Sequence, residues 1–378
     1  MVRATRWFMT LVFILGLILV ACASPQTTPA PEKPGTATPA APTAEKTREQ
    51  KLIEAAKANG EKEVVLWTMH WYDNPGAVGQ AFEAKYPFLK LKVWVQTVQV
   101  EPKVLEEYKA GIHTPDIIML TTDRLARMKK TGDVFAETEW PNVVGWPYQP
   151  SHNFWKSPTG AMFIPIYNTK LVLAADVPTK WEDLDNPKWR GKAVVSTSGE
   201  NYPLDYAYLL GDVSKEGVVN WDRSVKFWKG VVETVKPATA PAYQGPTERV
   251  GMGDYSILLL GTNNSGLNFR AKGMPVEYAP IKKVFSTSWG LGFAKYPPNP
   301  NAARLLLDFL TSEEGALVYA NTMLNPTFHP QAAKRANVNR FFTGLGVEWV
   351  NIPEGLVSDE DRLKSADLWL KDILGVKR

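Results

Sequence analysis

The sequence predicts an α/β fold, on three observations. Short continuous apolar runs, such as Val64-Val65-Leu66-Trp67, have the character of strands buried on both faces of a parallel sheet. Segments with helical spacing alternate with them, and that alternation is the mark of a mostly parallel sheet covered by helices. The chain has 378 residues, of which 44% are hydrophobic and 22% charged, enough for a substantial core and about two domains. The 43 Lys and Arg against 39 Asp and Glu leave a net charge of +4 without a long basic run, which argues against a nucleic-acid partner. A single cysteine excludes an intramolecular disulfide and a cysteine-rich zinc site.

In chain order, Arg3 and Arg6 precede an apolar run over residues 7–21, the charged and apolar parts of a secretory signal. The run ends in Leu19-Val20-Ala21-Cys22, which resembles a bacterial lipobox and marks Cys22 as a lipidation site. An uncleaved membrane helix is the alternative, since the run falls only a little short of the ~20 residues that span a bilayer. Residues 22–46 form a Pro/Thr/Ala-rich linker without aromatic residues, so they bury nothing and favour an extended tether. Together these segments predict an extracytoplasmic protein held to the bacterial membrane through lipid on Cys22.

Residues 47–59 then read as a helix, with Gly60 placed to end it. Strand 64–67 opens into the polar loop 68–75. A helix over 76–86, a strand over 91–95, a helix over 102–110 and a strand over 116–120 continue the alternation. Strand-like 161–167 and 192–196 follow, with helices over 202–210 and 224–234, strands over 256–260 and 275–279, and helices over 302–310 and 312–321.

Several tracts together resemble the extracytoplasmic solute-binding proteins of ABC importers, in the group with ferric-ion, thiamine and polyamine binders. They are Leu52-Ile53-Glu54-Ala55-Ala56-Lys57-Ala58-Asn59-Gly60, Ala81-Phe82-Glu83-Ala84-Lys85-Tyr86-Pro87, Tyr167-Asn168-Thr169-Lys170-Leu171, Trp181-Glu182-Asp183-Leu184 with Pro187-Lys188-Trp189-Arg190-Gly191-Lys192, and Asn299-Pro300-Asn301-Ala302-Ala303. The resemblance implies a periplasmic-binding-protein type 2-like fold, two α/β lobes joined by two crossing strands that close on ligand. The chain would cross near 163–168 and return near 286–293, which makes residues 1–21 the signal, 47–165 plus 290–378 lobe 1, and 166–289 lobe 2. It also implies a small-ligand partner and ABC permease subunits as recipients.

Ligands of such sheets collect beyond the carboxyl ends of the strands. The polar residues expected there are Thr68, His70, Thr121, Thr122, Thr197, Ser198, Asn263, Asn264 and Ser265, with Glu200 beside them. Hydroxyl and amide groups next to free N–H groups at helix starts suit a carboxylate or phosphate, so an organic anion is the expected ligand. The alternative for each loop is an ordinary helix cap. Trp71, Tyr202 and Trp289 are placed to stack on a ring or cage a cation, and Glu200 favours a cationic or hydroxylated ligand. Ferric binders of the resembled group commonly place adjacent tyrosines in the second lobe, where this chain has Gly261-Thr262-Asn263-Asn264-Ser265-Gly266. Iron is therefore expected only through His70, His329 or carboxylates.

The sequence holds no G-x-S-x-G elbow, H-E-x-x-H or phosphate loop, and no cysteine besides Cys22, so no enzyme, metal site or cofactor is expected. A receptor subunit that reports ligand to a membrane sensor is the other reading of the same features.

Overall fold

The structure is a computed structural model that describes residues 45–69, 75–96, 99–199 and 201–376. The signal segment, Cys22 and most of the linker lie outside the described residues, as do His70, Trp71 and Glu200. No helix among the described residues is long and apolar enough to cross a membrane.

The first part of the chain follows the expected alternation. Helix α1 (Arg48–Ala58) opens on a capping box in which the Thr47 hydroxyl accepts from the Gln50 amide and the Gln50 side chain accepts from that of Thr47. Then come β1 (Glu63–Thr68), α2 (Pro75–Lys85), β2 (Lys90–Val95), α3 (Val100–Lys109), β3 (Ile117–Thr121) and α4 (Thr122–Gly132). Strand β1 pairs in parallel with β2 and β3, and its buried Val64, Leu66 and Trp67 account for the apolar run in the sequence.

The middle of the chain contains β4 (Trp155–Asn168), β5 (Ala193–Ser196), α5 (Tyr202–Leu209), α6 (Asp222–Val235), β6 (Ala238–Ala240), α7 (Gln244–Met252), β7 (Ile257–Thr262), α8 (Asn263–Ala271), β8 (Val276–Tyr278) and β9 (Lys283–Phe293). Strand β5 runs parallel to both β6 and β7. Two long antiparallel strands, β4 and β9, join the groups into one sheet of order β2-β1-β3-β9-β4-β7-β5-β6, with β10 (Glu348–Asn351) on β9 and β8 on β4.

Strand β9 pairs with β3 through Trp289–Phe293 and with β4 from Gly292 back to Phe285. On β4 the transit comes earlier than the expected 163–168, because β7 already pairs with it from Phe163 onward. The sequence hid the first half of this strand behind Pro158, Thr159 and Gly160, and there the ladder shifts register between Lys156 and Thr159. Gly160 is required by close packing, since a Cβ there would meet the Thr287 carbonyl at 2.7 Å and Phe328 at 2.8 Å.

Helices α9 (Pro300–Leu310) and α10 (Glu313–Met323) return to the first core, against Leu52, Phe82, Met119 and Leu291. The remaining elements are α11 (Pro330–Arg335), α12 (Asn337–Gly344), β10, α13 (Asp359–Asp367) and a π-helical turn (Leu368–Ile373). Their side chains Ala336, Val338, Phe342, Val347, Trp369, Leu370 and Ile373 lie in the second core, with Trp228, Tyr202 and Phe285, although residues 290–378 were all expected in lobe 1. Packing of these large apolar groups decides the destination, and the tracts read from the sequence end before them.

The C-terminal residues also work as a strap across both halves. The Asn351 amide donates to the Ser288 hydroxyl at 2.6 Å, and its carbonyl accepts from that of Ser286 at 2.9 Å. Glu354 reaches His152 and the Trp155 indole N–H, both at 2.9 Å, and Asp359 pairs with Lys130 of α4 at 3.0 Å. Beyond Arg362, the Ser365 hydroxyl accepts from the Leu204 amide at 3.1 Å, and the Trp369 indole donates to the Ser196 carbonyl at 3.2 Å.

Candidate functional site

A cavity of about 320 Å³ lies between the two cores. This is the low end of the range of about 300–1,000 Å³ usual for small-molecule sites. Its wall is assembled from strand ends and helix starts, as the topology of an α/β sheet dictates. The first core contributes Met69, Thr121 to Arg124, and Trp289. The second contributes Phe163, Ser198, Tyr202, Asp205, Tyr243, Gln244, Thr262 and Asn264, and the strap adds Asn351, Ile352 and Arg362.

Four helices begin on this wall. The N-cap residues of α4, α5, α7 and α8 are Thr121, Asn201, Tyr243 and Thr262, and each lines the cavity. At α4, α5 and α7 the N-cap side chain makes no capping hydrogen bond, whereas Thr262 caps α8. A helix start carries a partial positive charge near half a unit, so the four starts favour negative charge. At α5, however, the Tyr202 and Leu204 amides already donate to Gly199 and Ser365 and Pro203 has no N–H, which leaves first-turn N–H groups to α4, α7 and α8. Arg124 and Arg362 add two full charges. Arg124 is partly neutralised by Glu101 at 3.6 Å, while no ion pair to Arg362 is formed among the described residues. The floor is aromatic. Tyr202 packs edge-on against Trp369, with ring centroids 5.1 Å apart, and donates its hydroxyl to that of Tyr243 at 2.9 Å. Burial pushes the Tyr202 hydroxyl well above its usual pKa, so it stays protonated at neutral pH.

Two carboxyls share the wall, Asp123 and Asp205. Burial pushes Asp205 up to about 8, with nearby Arg362 pulling it down and Asp123 pushing it further up.

Of the residues expected from the sequence, Thr121, Thr122, Ser198, Tyr202, Asn264 and Trp289 come together here. Thr68, Thr197, Asn263 and Ser265 do not line the cavity. Thr68 is fully buried in β1, and the Thr197 amide bonds to the Ala240 carbonyl at 2.9 Å. Asn263 faces the crossing strand, accepting from the Met162 amide at 2.7 Å and donating to the Leu324 carbonyl at 2.6 Å. Ser265 completes the α8 cap and accepts from the Thr247 hydroxyl at 3.0 Å. One turn of helix presents a single side chain to the cavity, and in α8 that is Asn264. His329 caps α11 through Nδ1, which accepts from the Gln331 and Ala332 amides at 3.1 and 3.2 Å, so its role is structural.

Tyr243, Asp205 and Arg362 were missed. A hydrogen-bonded pair of tyrosine hydroxyls does line the cavity, from residues 41 positions apart, which no local motif reveals. No group of three or more His, Cys, Asp or Glu side chains suited to a metal ion occurs among the described residues.

Residues 113–349 match the family described as bacterial extracellular solute-binding protein. A curated relative, iron uptake protein A1 of Synechocystis, is 25% identical over 230 residues, covering 56% of this chain and 61% of its own. The chain thus spans about three-fifths of that relative's length. Among solved structures, the substrate-binding protein of an ABC transporter from Agrobacterium tumefaciens superposes with a TM-score of 0.69 at 15% identity, covering 84% of this chain and 96% of its own. Iron-bound HitA from Pseudomonas aeruginosa superposes with a TM-score of 0.64 at 16% identity, covering 81% and 99%. These likenesses establish the two-lobed solute-binding fold.

Proposed function

The chain belongs to the family of bacterial extracellular solute-binding proteins, whose members bind and do not transform their ligands, and we propose that it captures a small organic anion between its two lobes and delivers it to an ABC permease. The observation that carries this reading is the convergence of four helix starts with Arg124 and Arg362 on one cavity. A carboxylate or phosphate placed there would meet the positive ends of α4, α7 and α8 with two guanidinium groups on the same wall. Trp289 and Phe163 supply apolar wall for its carbon skeleton. In this reading lipid on Cys22 holds the protein to the membrane, supported by Leu19-Val20-Ala21-Cys22 and the Pro-rich stretch behind it. Cys22→Ala should shift the protein from the membrane fraction to the soluble fraction. Unchanged membrane retention after a high-salt wash would remove the anchor from the proposal.

The direct test is mass spectrometry of the ligand released when purified protein is denatured, which should find a molecule bearing a carboxylate or phosphate. Asn264 lines the cavity and its Oδ1 already accepts from Thr262 at 2.7 Å, leaving its amide N–H groups for ligand. Asn264→Ala should therefore weaken that ligand by about ten- to a hundred-fold, the worth of a hydrogen bond to a charged group. Affinity unchanged within two-fold would count against this orientation.

A second reading is favoured by one contact, the Tyr202–Tyr243 hydroxyl pair, together with the iron named for two of the similar proteins. A ferric ion with a chelating anion fits a positive cavity better than a bare ion does. Titration with ferric citrate separates the two: the organic-anion reading gives no new visible absorption, and a phenolate charge-transfer band establishes the ferric one.

A further inference from the structure

An acid in an anion cavity needs a reason, and Asp205 has none in the recognition just described. It lies in the first turn of α5, is 8% exposed, and lines the cavity wall. Its amide donates to the Asn201 carbonyl at 2.8 Å, but its carboxyl makes no hydrogen bond or ion pair among the described residues. The charged groups acting on it are Arg362, from α13, which packs against α5 through the Leu204–Ser365 hydrogen bond, and Asp123, from the first turn of α4. The same helix also carries the aromatic side chains of Tyr202 and Tyr206, packed on Trp228 with ring centroids 6.3 and 5.7 Å away. A buried carboxyl without a partner is costly whether it is ionised or merely unbonded. The buried carboxyl of Asp116 shows the usual arrangement, accepting from the Val65 and Asn299 amides at 2.8 and 2.6 Å. An anion alone would add repulsion at Asp205 to this cost.

We propose that the Asp205 carboxyl receives an ammonium group of the ligand, so that the solute is a small zwitterion whose carboxylate or phosphate faces the helix starts and Arg362. This rests on the anion reading above and names the second half of the molecule that reading leaves open. A zwitterion satisfies both charge signs on the wall at once and enters without burying net charge. The proton held by Asp205 leaves when the ammonium arrives, because a cation in contact stabilises the ionised carboxylate. Binding should thus release a proton to the buffer.

The test uses purified full-length protein and matched probes: 4-aminobutyrate against butyrate, β-alanine against propionate, and O-phosphoethanolamine against ethyl phosphate. At least one amine-bearing probe should bind ten-fold or more tighter than its amine-free counterpart. Calorimetry near pH 7 in buffers of different ionisation enthalpy should show net proton release on binding. Asp205→Asn should abolish the preference within a pair while leaving the amine-free probe bound. Equal affinity within every pair, binding without proton release, or a preference that survives Asp205→Asn would overturn the zwitterion and leave the anion reading standing. The proton count needs only the wild-type protein, so a variant that fails to fold cannot mask the answer. If no probe of either kind binds, while ferric citrate produces a visible band, both this inference and the anion reading fall.

Discussion

Trp369→Ala is expected to destabilise the protein by about 3–5 kcal/mol, the usual range for emptying a core position of its largest side chain. Trp369 is fully buried nine residues before the last residue of the sequence. Its ring meets Trp228 at 5.5 Å and Tyr202 at 5.1 Å, and its indole N–H closes on the Ser196 carbonyl at 3.2 Å. The substitution therefore leaves a void, removes two edge-to-face contacts and orphans a carbonyl at the end of β5. A domain total of about 5–15 kcal/mol leaves little after such a loss. Urea unfolding should show the midpoint falling sharply, with Trp369→Phe intermediate. A loss under 1 kcal/mol would show that the strap's end contributes nothing to the second core.

Arg362→Ala is expected to weaken the released ligand by about 2–5 kcal/mol, on the order of thirty- to several-thousand-fold, as for truncating one side of a buried charge pair. The same change should scarcely affect unfolding, since Arg362 has no ion pair among the described residues. Arg362→Lys should recover only part of the affinity, because a point charge cannot reproduce two parallel N–H groups. Titration calorimetry of both variants measures this. An affinity within three-fold of wild type would take the principal free cation out of the anion site and favour the tyrosine-based reading.

The alternation of strands and helices was legible because buried parallel strands announce themselves as apolar runs, as 64–67 and 117–120 do. The first half of β4 was not, since Ser157, Pro158, Thr159 and Gly160 resemble a loop until the register shift and the close Thr287 approach are seen. Of the expected residues that line the cavity, Thr121, Thr122, Ser198 and Asn264 lie at or just beyond a strand end, where topology alone places ligand groups, while Tyr202 and Trp289 were legible as aromatic residues near those ends. Asp205 and Arg362 each lie four positions inside a helix and read as ordinary surface charge. One signal for Arg362 existed. A cation in the first turn of α13 opposes the helix dipole that the preceding Asp359, Glu360 and Asp361 suit, and such local conflicts mark sites where something other than helix stability is served. Tyr243 meets Tyr202 only through tertiary packing, so no spacing rule reaches it.

The strap has a consequence for the order in which the molecule comes into being. Trp369 and Ser196 are 173 positions apart, and the core they share also draws on Phe342, Val347 and Ile373. Contacts of such sequence separation form late, because a long stretch of chain must first surrender its freedom. A chain made from its N-terminus delivers the two parts of the second core at separate times. Residues 162–285 emerge with their apolar faces unmatched, and remain so until the last few dozen residues follow. The cavity takes Arg362 from that same stretch, so its wall is complete only once these late contacts form, and a chain without that stretch lacks both the cavity's Arg362 and the Trp369 that backs its floor.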